Sequence, residues 1–242
     1  MSVYLITGAS SDVGTALIDR LYREGDVFIA QGAGDLSHLA PLCRKYPGAI
    51  KTYDVDLTDP AALELFVRDV AARYPTPTHL VHLPALRVVN TRFKNFDEDR
   101  FERDMSVQIR SAVKLCKTFL PAMAKARQGR VLFMLTSYLL GAPKNTAAYV
   151  MVKSTLQGLA KSLAADYASF GVTVNCVMPS MMETKFLADT SDLIVQASAE
   201  ANPMKRNARV EDVVPAMAFL LSEEAGFITG VTLPVTGGSA FL

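Results

Sequence analysis

The sequence alternates short, continuously apolar runs with longer amphipathic segments, and this unit repeats six times. The apolar runs are predicted strands, because none of them alternates polar with apolar residues. A strand that is apolar on both faces must be covered by helices on both sides, which is typical of a parallel sheet. The pattern therefore predicts a doubly wound α/β fold with about seven, mainly parallel strands. The predicted strands are Val3–Thr7, Val27–Ala30, Ile50–Tyr53, Leu80–Leu83, Val131–Leu135, Val172–Val177 and Val231–Val235.

Local signals mark the ends of several predicted helices. Gly25 should end the first helix, and Asp59 is a good N-cap for the third. We expect Asn145 to cap a helix that runs to Phe170 and stops at Gly171. The long helix before it is expected to break near Pro121. The predicted helices are Asp12–Tyr22, Leu36–Lys45, Asp59–Tyr74, Phe96–Lys125, residues 146–170, and Val210–Leu221.

No linker rich in Pro, Gly or Ser divides the chain, so we expect a single domain over residues 1–242. The segment Pro179–Arg209 is the one long insertion, with weak periodicity. Its apolar residues suit a mobile lid over a substrate cleft, although a helix pair packed on a neighbouring subunit fits nearly as well. These residues are Met181, Met182, Phe186, Leu187 and Met204.

Composition argues against several classes of protein. The formal net charge is +1 and basic residues form no run, so nothing indicates nucleic-acid or membrane-surface binding. The sequence shows neither a signal peptide nor an apolar run of membrane-spanning length. Three cysteines with wide spacing are interpreted as buried, reduced thiols, and a metal site is not expected. These observations favour a cytoplasmic protein.

The first strand runs directly into a small-residue turn and a helix. Small residues let the backbone approach a pyrophosphate, and the N–H groups of the helix N-terminus attract the anion. In an open parallel sheet, the ligand crevice lies at this carboxyl edge. We expect Asp12 to point away from the phosphates, as an N-terminal cap. The predicted contacts are Gly8, Ser10, Ser11, Asp12, Val13 and Gly14.

Tyr149 and Lys153 are four residues apart on the helix after the fifth strand, so they share one helix face. An ammonium beside a phenol favours the phenolate, which should lower the tyrosine pKa towards neutral. A tyrosine tuned in this way can give a proton to a carbonyl oxygen, or take one in the reverse reaction.

Together these motifs resemble those of the short-chain dehydrogenase/reductase family. The turn is similar to the family's Thr-Gly-x-x-x-Gly-x-Gly, with Asp12 at the middle glycine, and the Tyr-x-x-x-Lys pair lies where the family places it. Thr229-Gly230 and Gly237-Gly238 match the family's carboxyl-terminal pattern, so the resemblance covers essentially the whole chain. It implies a Rossmann-like, single-domain reductase or dehydrogenase that uses NAD or NADP, in the branch of the 3-oxoacyl-thioester reductases.

The resemblance also implies further site residues. A catalytic hydroxyl is expected at the end of the fifth strand, where Thr136 aligns without gaps and Ser137 fits if the loop is one residue shorter. Gln108 lies where the family has an asparagine that holds a water of the proton relay. Asp56 and Leu57 match the adenine-contacting pair, unless Asp56 only begins a turn. Pro179, Met182 and Thr184 are expected beside the nicotinamide.

The fourth strand departs from the family. It ends His82-Leu83-Pro84-Ala85 where the family has Asn-Asn-Ala-Gly, and these residues should still lie beside the cofactor. His82 is either a buried histidine with satisfied hydrogen bonds or a replacement polar group. At the end of the second strand, Gln31 stands where an acid would select NAD, so the missing acid slightly favours NADP.

The expected reaction is reduction of a ketone, with a small carbonyl or alcohol substrate or a carrier-bound acyl chain. The missing Asn-Asn segment motivates an alternative, a weakly catalytic or non-catalytic subunit or nucleotide-binding partner in a hetero-oligomer. The family resemblance otherwise implies a homodimer or homotetramer.

Overall fold

Seven strands form one sheet in the order β3-β2-β1-β4-β5-β6-β7, and every neighbouring pair is parallel. A computed structural model describes residues 1–240. The order reverses between β1 and β4, which opens a crevice at their carboxyl ends. The predicted doubly wound parallel sheet is confirmed. Its strands β1–β7 are Val3–Thr7, Val27–Gly32, Ile50–Asp54, His79–His82, Gly129–Met134, Val172–Pro179 and Thr232–Val235.

Helices cover both faces of the sheet, and each face has its own apolar core. One core joins α3, α5 and α6 to the sheet, and the other joins α1, α2 and α8. Burial on both faces explains why β1 and β4, at the centre of the sheet, are buried along their whole length, whereas the edge strand β3 exposes Thr52 and Asp54. Helices α1–α8 are Asp12–Leu21, Ala40–Lys45, Pro60–Arg73, Glu98–Met105, Ser111–Ala126, Ala147–Tyr167, Asp192–Ala201 and Val210–Leu221.

The predicted break near Pro121 was wrong. Pro121 is exposed and lies inside the continuous helix α5. The irregularity comes earlier, at Ser106–Arg110, which forms one wide π turn between α4 and α5. Such turns often mark functional sites, and this one packs against α6.

The start of α6 also differs from the prediction. Asn145 has a left-handed backbone (φ +67°) and precedes the cap position, which Thr146 occupies. The Thr146 hydroxyl donates to the carbonyl oxygen of Pro143 at 2.7 Å. At the other end, α6 stops at Tyr167, a short 3-10 turn follows, and Gly171 (φ +74°) ends it as predicted.

The insertion between β6 and α8 holds helix α7, and Met182 forms an isolated parallel bridge with Ala208. All three cysteines are free thiols; Cys116 and Cys176 are buried, whereas Cys43 is partly exposed, against prediction. Within residues 1–240, no cluster of side chains could hold a metal ion, and none of the helices is long and apolar enough to cross a membrane.

Candidate active site

A cleft of about 390 Å³ opens at the carboxyl edge of the sheet. Its walls come from the turns after β1, β4, β5 and β6 and from the first turns of α6. This is the edge at which open parallel sheets bind ligands. The residues that line it include Tyr149, Lys153 and Thr136, which the sequence predicted for catalysis.

The turn after β1 requires glycine at two positions. Gly8 has φ +69°, which residues with a side chain rarely adopt. A Cβ atom on Gly14 would lie 2.6 Å from the carbonyl oxygen of Ala9. Ser11 caps α1, because its hydroxyl oxygen accepts from the Gly14 N–H at 3.1 Å. The turn therefore presents the N-terminus of α1 to the cleft, with Ser10, Ser11, Asp12 and Val13 in the wall.

Asp12 is not the helix cap that the sequence predicted. Ser11 holds that position, and Asp12 is the first residue of α1. The Asp12 carboxylate instead accepts a hydrogen bond from the backbone N–H of Lys185 at 2.8 Å. It therefore joins the nucleotide turn to the segment after β6, which forms another wall of the cleft.

Tyr149 and Lys153 project from one face of α6 into the cleft. Lys153 is only 1% exposed, and its Nζ atom donates to the carbonyl oxygen of Met134 at 2.8 Å. Nζ lies 5.8 Å from the centre of the Tyr149 ring. Tyr138 packs edge-on against Tyr149, with 6.0 Å between ring centres. Lys153 is thus held by a hydrogen bond to β5, and Tyr149 is held by its contact with the Tyr138 ring.

The protonation of this pair differs from the prediction. Burial raises the pKa of Tyr149 above its ordinary value, and hydrogen bonding with the Thr136 hydroxyl acts against that rise. The expected lowering by Lys153 is not found, since Nζ lies over the ring face and is held by Met134. Burial lowers the pKa of Lys153 to about 8, opposed by the charge of Asp104. At neutral pH the phenol is therefore protonated and the amine mostly charged.

The structure distinguishes the two candidate hydroxyls at the end of β5. Thr136 is buried, lines the cleft and interacts with Tyr149. Ser137 begins a short 3-10 turn and does not line the cleft. Thr136, the residue that aligns without gaps, is therefore the hydroxyl that lies beside Tyr149 in the cleft.

His82 is buried with satisfied hydrogen bonds behind the cleft. Its Nε2 lies 3.0 Å from the carbonyl oxygen of Gln108, and its Nδ1 lies 2.7 Å from the Thr7 hydroxyl. Burial lowers the pKa of His82 to about 3, so the ring is neutral. Because a carbonyl only accepts, Nε2 carries the proton and Nδ1 accepts from Thr7. His82 thus ties β4 to β1 and to the π turn.

Gln108 lies behind the cleft rather than in it. Its side chain is fully buried, and Nε2 donates to Asp104 Oδ1 at 2.6 Å. Within the described chain, Gln108 Oε1 has no hydrogen-bond partner. Gln108, the residue predicted for the proton relay, is therefore oriented by its hydrogen bond to the Asp104 carboxylate.

Asp104 is a site residue that the sequence reasoning missed. It lies in a stretch of α4 that is rich in acidic and basic residues, yet it is only 8% exposed. Helical spacing offered a signal, since Phe101, Asp104 and Gln108 fall on one face. Tyr138 of the cleft wall also went unnoticed.

Seven of the residues predicted to contact the cofactor do not line the cleft: Gly8, Gly14, Gln31, Asp56, Leu57, His82 and Pro84. Gln31 is buried, with Oε1 accepting from the Gly8 N–H at 3.1 Å and Nε2 donating to Val55 O at 2.7 Å. Asp56 accepts from the Thr58 N–H and hydroxyl at 2.8 Å, which is the turn considered as its alternative. Leu57 belongs to the core on the α3 side.

The remaining residues predicted to contact the cofactor also lie partly in the cleft and partly behind it. Leu83, Pro179, Met182 and Thr184 line the cleft, whereas Pro84 lies behind it, against Gly8. Met204 is not in this wall, whereas the segment after Pro179 contributes to it the other four apolar side chains that the lid prediction named. These are Met181, Met182, Phe186 and Leu187.

Comparison with known proteins places this arrangement in context. Residues 8–240 match a family model described as enoyl-(acyl carrier protein) reductase. A 3-oxoacyl-[acyl-carrier-protein] reductase of Escherichia coli (strain K12) is 32% identical over 239 residues, or 98% of this chain and 96% of that one. An acetoacetyl-CoA reductase of Allochromatium vinosum is 26% identical over 242 residues, or 98% of this chain and 97% of the relative.

A solved structure has the same fold. It is a putative NAD(P)-dependent gluconate 5-dehydrogenase from Beutenbergia cavernae, with bound NADP. It superposes with a TM-score of 0.90 at 26% identity, over 98% of this chain and 96% of that one.

Proposed function

Because the chain belongs to the short-chain dehydrogenase/reductase family, and so is an oxidoreductase, we propose that it reduces a ketone with NADPH, with Tyr149 as the proton donor. The observation that carries this proposal is the position of the catalytic pair. Tyr149 and Lys153 share a cleft with the glycine turn that opens α1, so a proton donor lies beside a nucleotide-binding edge.

The residues present fit a dinucleotide. Gly8 and Gly14 allow the tight backbone of the turn, and the capped N-terminus of α1 offers its N–H groups to an anion. The hydroxyls of Ser10 and Ser11 lie in the same wall, and Thr184 lies across the cleft. A bound nicotinamide dinucleotide supplies the hydride for carbonyl reduction.

The protein's own groups handle the proton. Tyr149 is protonated at neutral pH because burial raises its pKa, so it can donate to a developing alkoxide. The Thr136 hydroxyl beside it is placed to hold the same carbonyl oxygen. The buried Lys153 ammonium is held by the carbonyl oxygen of Met134, 5.8 Å from the centre of the Tyr149 ring, so it keeps a positive charge in the same cleft.

Two features support NADPH over NADH. The Gln31 amide is fully engaged by backbone groups, so the end of β2 offers no acid to ribose hydroxyls. His38 and Asp35 lie on the loop that follows β2. Lys185, from the segment after β6, reaches this loop: its Nζ atom lies 2.9 Å from His38 Nε2, and the charges of Lys185 and His38 both act on Asp35. A basic group beside this loop suits a 2′-phosphate.

The apolar wall after Pro179 supports an acyl substrate. Met181, Met182, Phe186 and Leu187 face the cleft, and they suit the chain of a 3-oxoacyl thioester. Two relatives are named as reductases of such thioesters. We therefore propose residues 179–209 as a lid over a 3-oxoacyl thioester, free or carrier-bound, within a single domain.

Oxidation of NADPH with acetoacetyl-CoA tests the proposal. We expect turnover with NADPH to exceed that with NADH, and Lys185→Ala to raise the KM for NADPH while leaving that for NADH nearly unchanged. A series of longer 3-oxoacyl thioesters should then be reduced at comparable or higher kcat/KM. Failure to reduce any ketone with either dinucleotide would contradict the proposed reaction.

Assembly into a homodimer or homotetramer and a cytoplasmic location remain predictions. Light scattering at several protein concentrations measures the first. Purification with a second, related chain would instead favour the hetero-oligomer.

A further inference from the structure

The rear of the active site contains a buried carboxylate, Asp104, on α4. Its Oδ1 atom accepts hydrogen bonds from Gln108 Nε2 at 2.6 Å and from the Leu86 N–H at 3.3 Å. A charge that is only 8% exposed needs an opposite charge nearby, because burial without one is costly.

Asp104 and Lys153 are two buried charges without direct ion pairs. Within residues 1–240, neither takes part in a salt bridge shorter than 4.0 Å. Helix α4 packs on α6, which carries Lys153. Two buried side chains of opposite charge therefore belong to helices that are in contact, in an interior where electrostatic interactions act over longer distances than in water.

We propose that Asp104 is a positioning residue for the catalytic pair: its carboxylate balances the buried Lys153 ammonium across the α4–α6 contact and orients Gln108 behind the cleft. This inference rests on the proposed function, because only the proposed reaction gives the Lys153 ammonium a role in catalysis. It assigns Asp104 no contact with the substrate.

Three other titratable groups on the elements around Lys153 carry no charge at neutral pH. Burial lowers the pKa of His82 on β4 to about 3, so its ring is neutral. Burial raises the pKa of Cys176 on β6 to about 12, so it is a thiol. Tyr149 on α6 is a phenol, because burial raises its pKa as well. Asp104 is thus the charged group that opposes the desolvation of Lys153.

The same carboxylate settles the orientation of Gln108. A carboxylate accepts hydrogen bonds, so the amide nitrogen must face Asp104 and Oε1 must face away from it. The backbone carbonyl of Gln108 is already engaged by His82. Gln108 Oε1 is consequently the acceptor that the rear of the site keeps buried and available.

The decisive experiment titrates Lys153 itself, in the protein without dinucleotide. The side-chain amine is observed by NMR with isotopically labelled lysine, and its resonance is assigned by its loss in Lys153→Met. Asp104→Asn removes the charge at nearly constant volume. Asp99→Asn is the matched control, because Asp99 is an exposed acid in the first turn of the same helix.

We expect Asp104→Asn to lower the Lys153 pKa by about one unit or more, as for a unit charge near a protein interior. Asp99→Asn should leave it within about 0.2 units, since an exposed charge is screened. Equal titration of Lys153 in wild type and Asp104→Asn would overturn the proposal. If Asp104→Asn does not fold, Asp104→Ser removes the same charge and serves for the same titration.

Turnover provides a second readout. The rate of ketone reduction should fall as Lys153 loses its proton, so Asp104→Asn should move the basic limb of the kcat profile down by about one pH unit. Asp99→Asn should not move it. Absence of any ketone reduction by the wild type would contradict the proposed function, while the NMR titration would still decide the role of Asp104.

Discussion

The turns after β1 and β4 lie side by side, yet only one of them follows the family pattern. Gly8 in the first turn packs against Leu83 and Pro84 in the second, and the Leu83 N–H donates to the Thr7 carbonyl. The first turn keeps two of the three glycines of its family pattern, Gly8 and Gly14, and has Asp12 at the third. The second has lost the polar Asn-Asn pair and has His82 at its start.

The difference reflects what each turn must provide. The first turn depends on backbone shape, because Gly14 has no room for a Cβ atom beside Ala9. The second turn depends on satisfied polar groups, and different side chains can satisfy them. His82 links Thr7 to the Gln108 carbonyl, so one ring replaces the lost amides in joining the sheet to the π turn.

Among changes in the two turns, Gly14→Ala should have the largest effect. Its methyl group would meet a backbone carbonyl rather than a flexible side chain, so the turn must distort, at a cost of about 1–3 kcal/mol in unfolding free energy. We expect the Kd for NADPH, measured by calorimetry, to rise at least about tenfold, since about 1.4 kcal/mol of lost binding suffices. Gly141→Ala is the control, because Gly141 has open space around its Cβ position. Equal Kd values in the two variants would show that the first turn tolerates a side chain.

His82 sharpens the comparison through the pH dependence of stability. Burial depresses its pKa from 6.5 to about 3, so below pH 6.5 the unfolded chain binds a proton that the folded protein does not. Stability should therefore fall as the pH drops from 6.5 towards 3, by up to about 1.4 kcal/mol per unit for this one group.

His82→Gln removes that proton, so urea unfolding should show a shallower acid slope than wild type, whatever its stability at neutral pH. Gly141→Ala, a change that adds or removes no titrating group and has open space around the new methyl group, should keep the wild-type slope. His79 is also buried, with its pKa lowered to about 4, and contributes equally to all three proteins. An unchanged slope in His82→Gln would mean that His82 does not stay neutral.

Asp12 should give the smallest effect. Asp12→Ala removes the hydrogen bond to the Lys185 N–H but leaves Ser11 to cap α1. We expect a loss of at most about 1 kcal/mol in stability and a rise of a few-fold in the KM for the ketone, because the segment after Pro179 loses one anchor. Faster amide exchange at Lys185 would register the loosened anchor. No change in that exchange would show that Asp12 does not hold the segment.

The sequence predicted the sheet because strands that are buried on both faces form short runs of mostly apolar residues. It predicted α6 and the catalytic pair because helical spacing brings Tyr149 and Lys153 to one face. It misplaced the irregularity of the α4–α5 segment, since Pro121 is a visible signal and the π turn at Ser106–Arg110 is not. That turn depends on tertiary contacts behind the sheet, which no local pattern encodes.

Side-chain partners were the least predictable part of the site. Gln31 and Asp56 occupy the expected positions but bind their own backbone neighbours. Asp12 binds Lys185, which is distant in the sequence, and Asp104 is buried among charged neighbours on α4. Each outcome depends on contacts between distant segments, so position along the chain fixed where a residue lies but not what it binds.

The role of Tyr149 as the proton donor is tested most directly by single-turnover reduction of a ketone in two matched variants. Tyr149→Phe and Tyr138→Phe each remove one hydroxyl from the same cleft, where the two rings are 6.0 Å apart. We predict that Tyr149→Phe slows reduction by about 10²–10⁴-fold with the Kd for NADPH nearly unchanged, whereas Tyr138→Phe stays within about tenfold of wild type. Equal rates in the two variants would contradict the account.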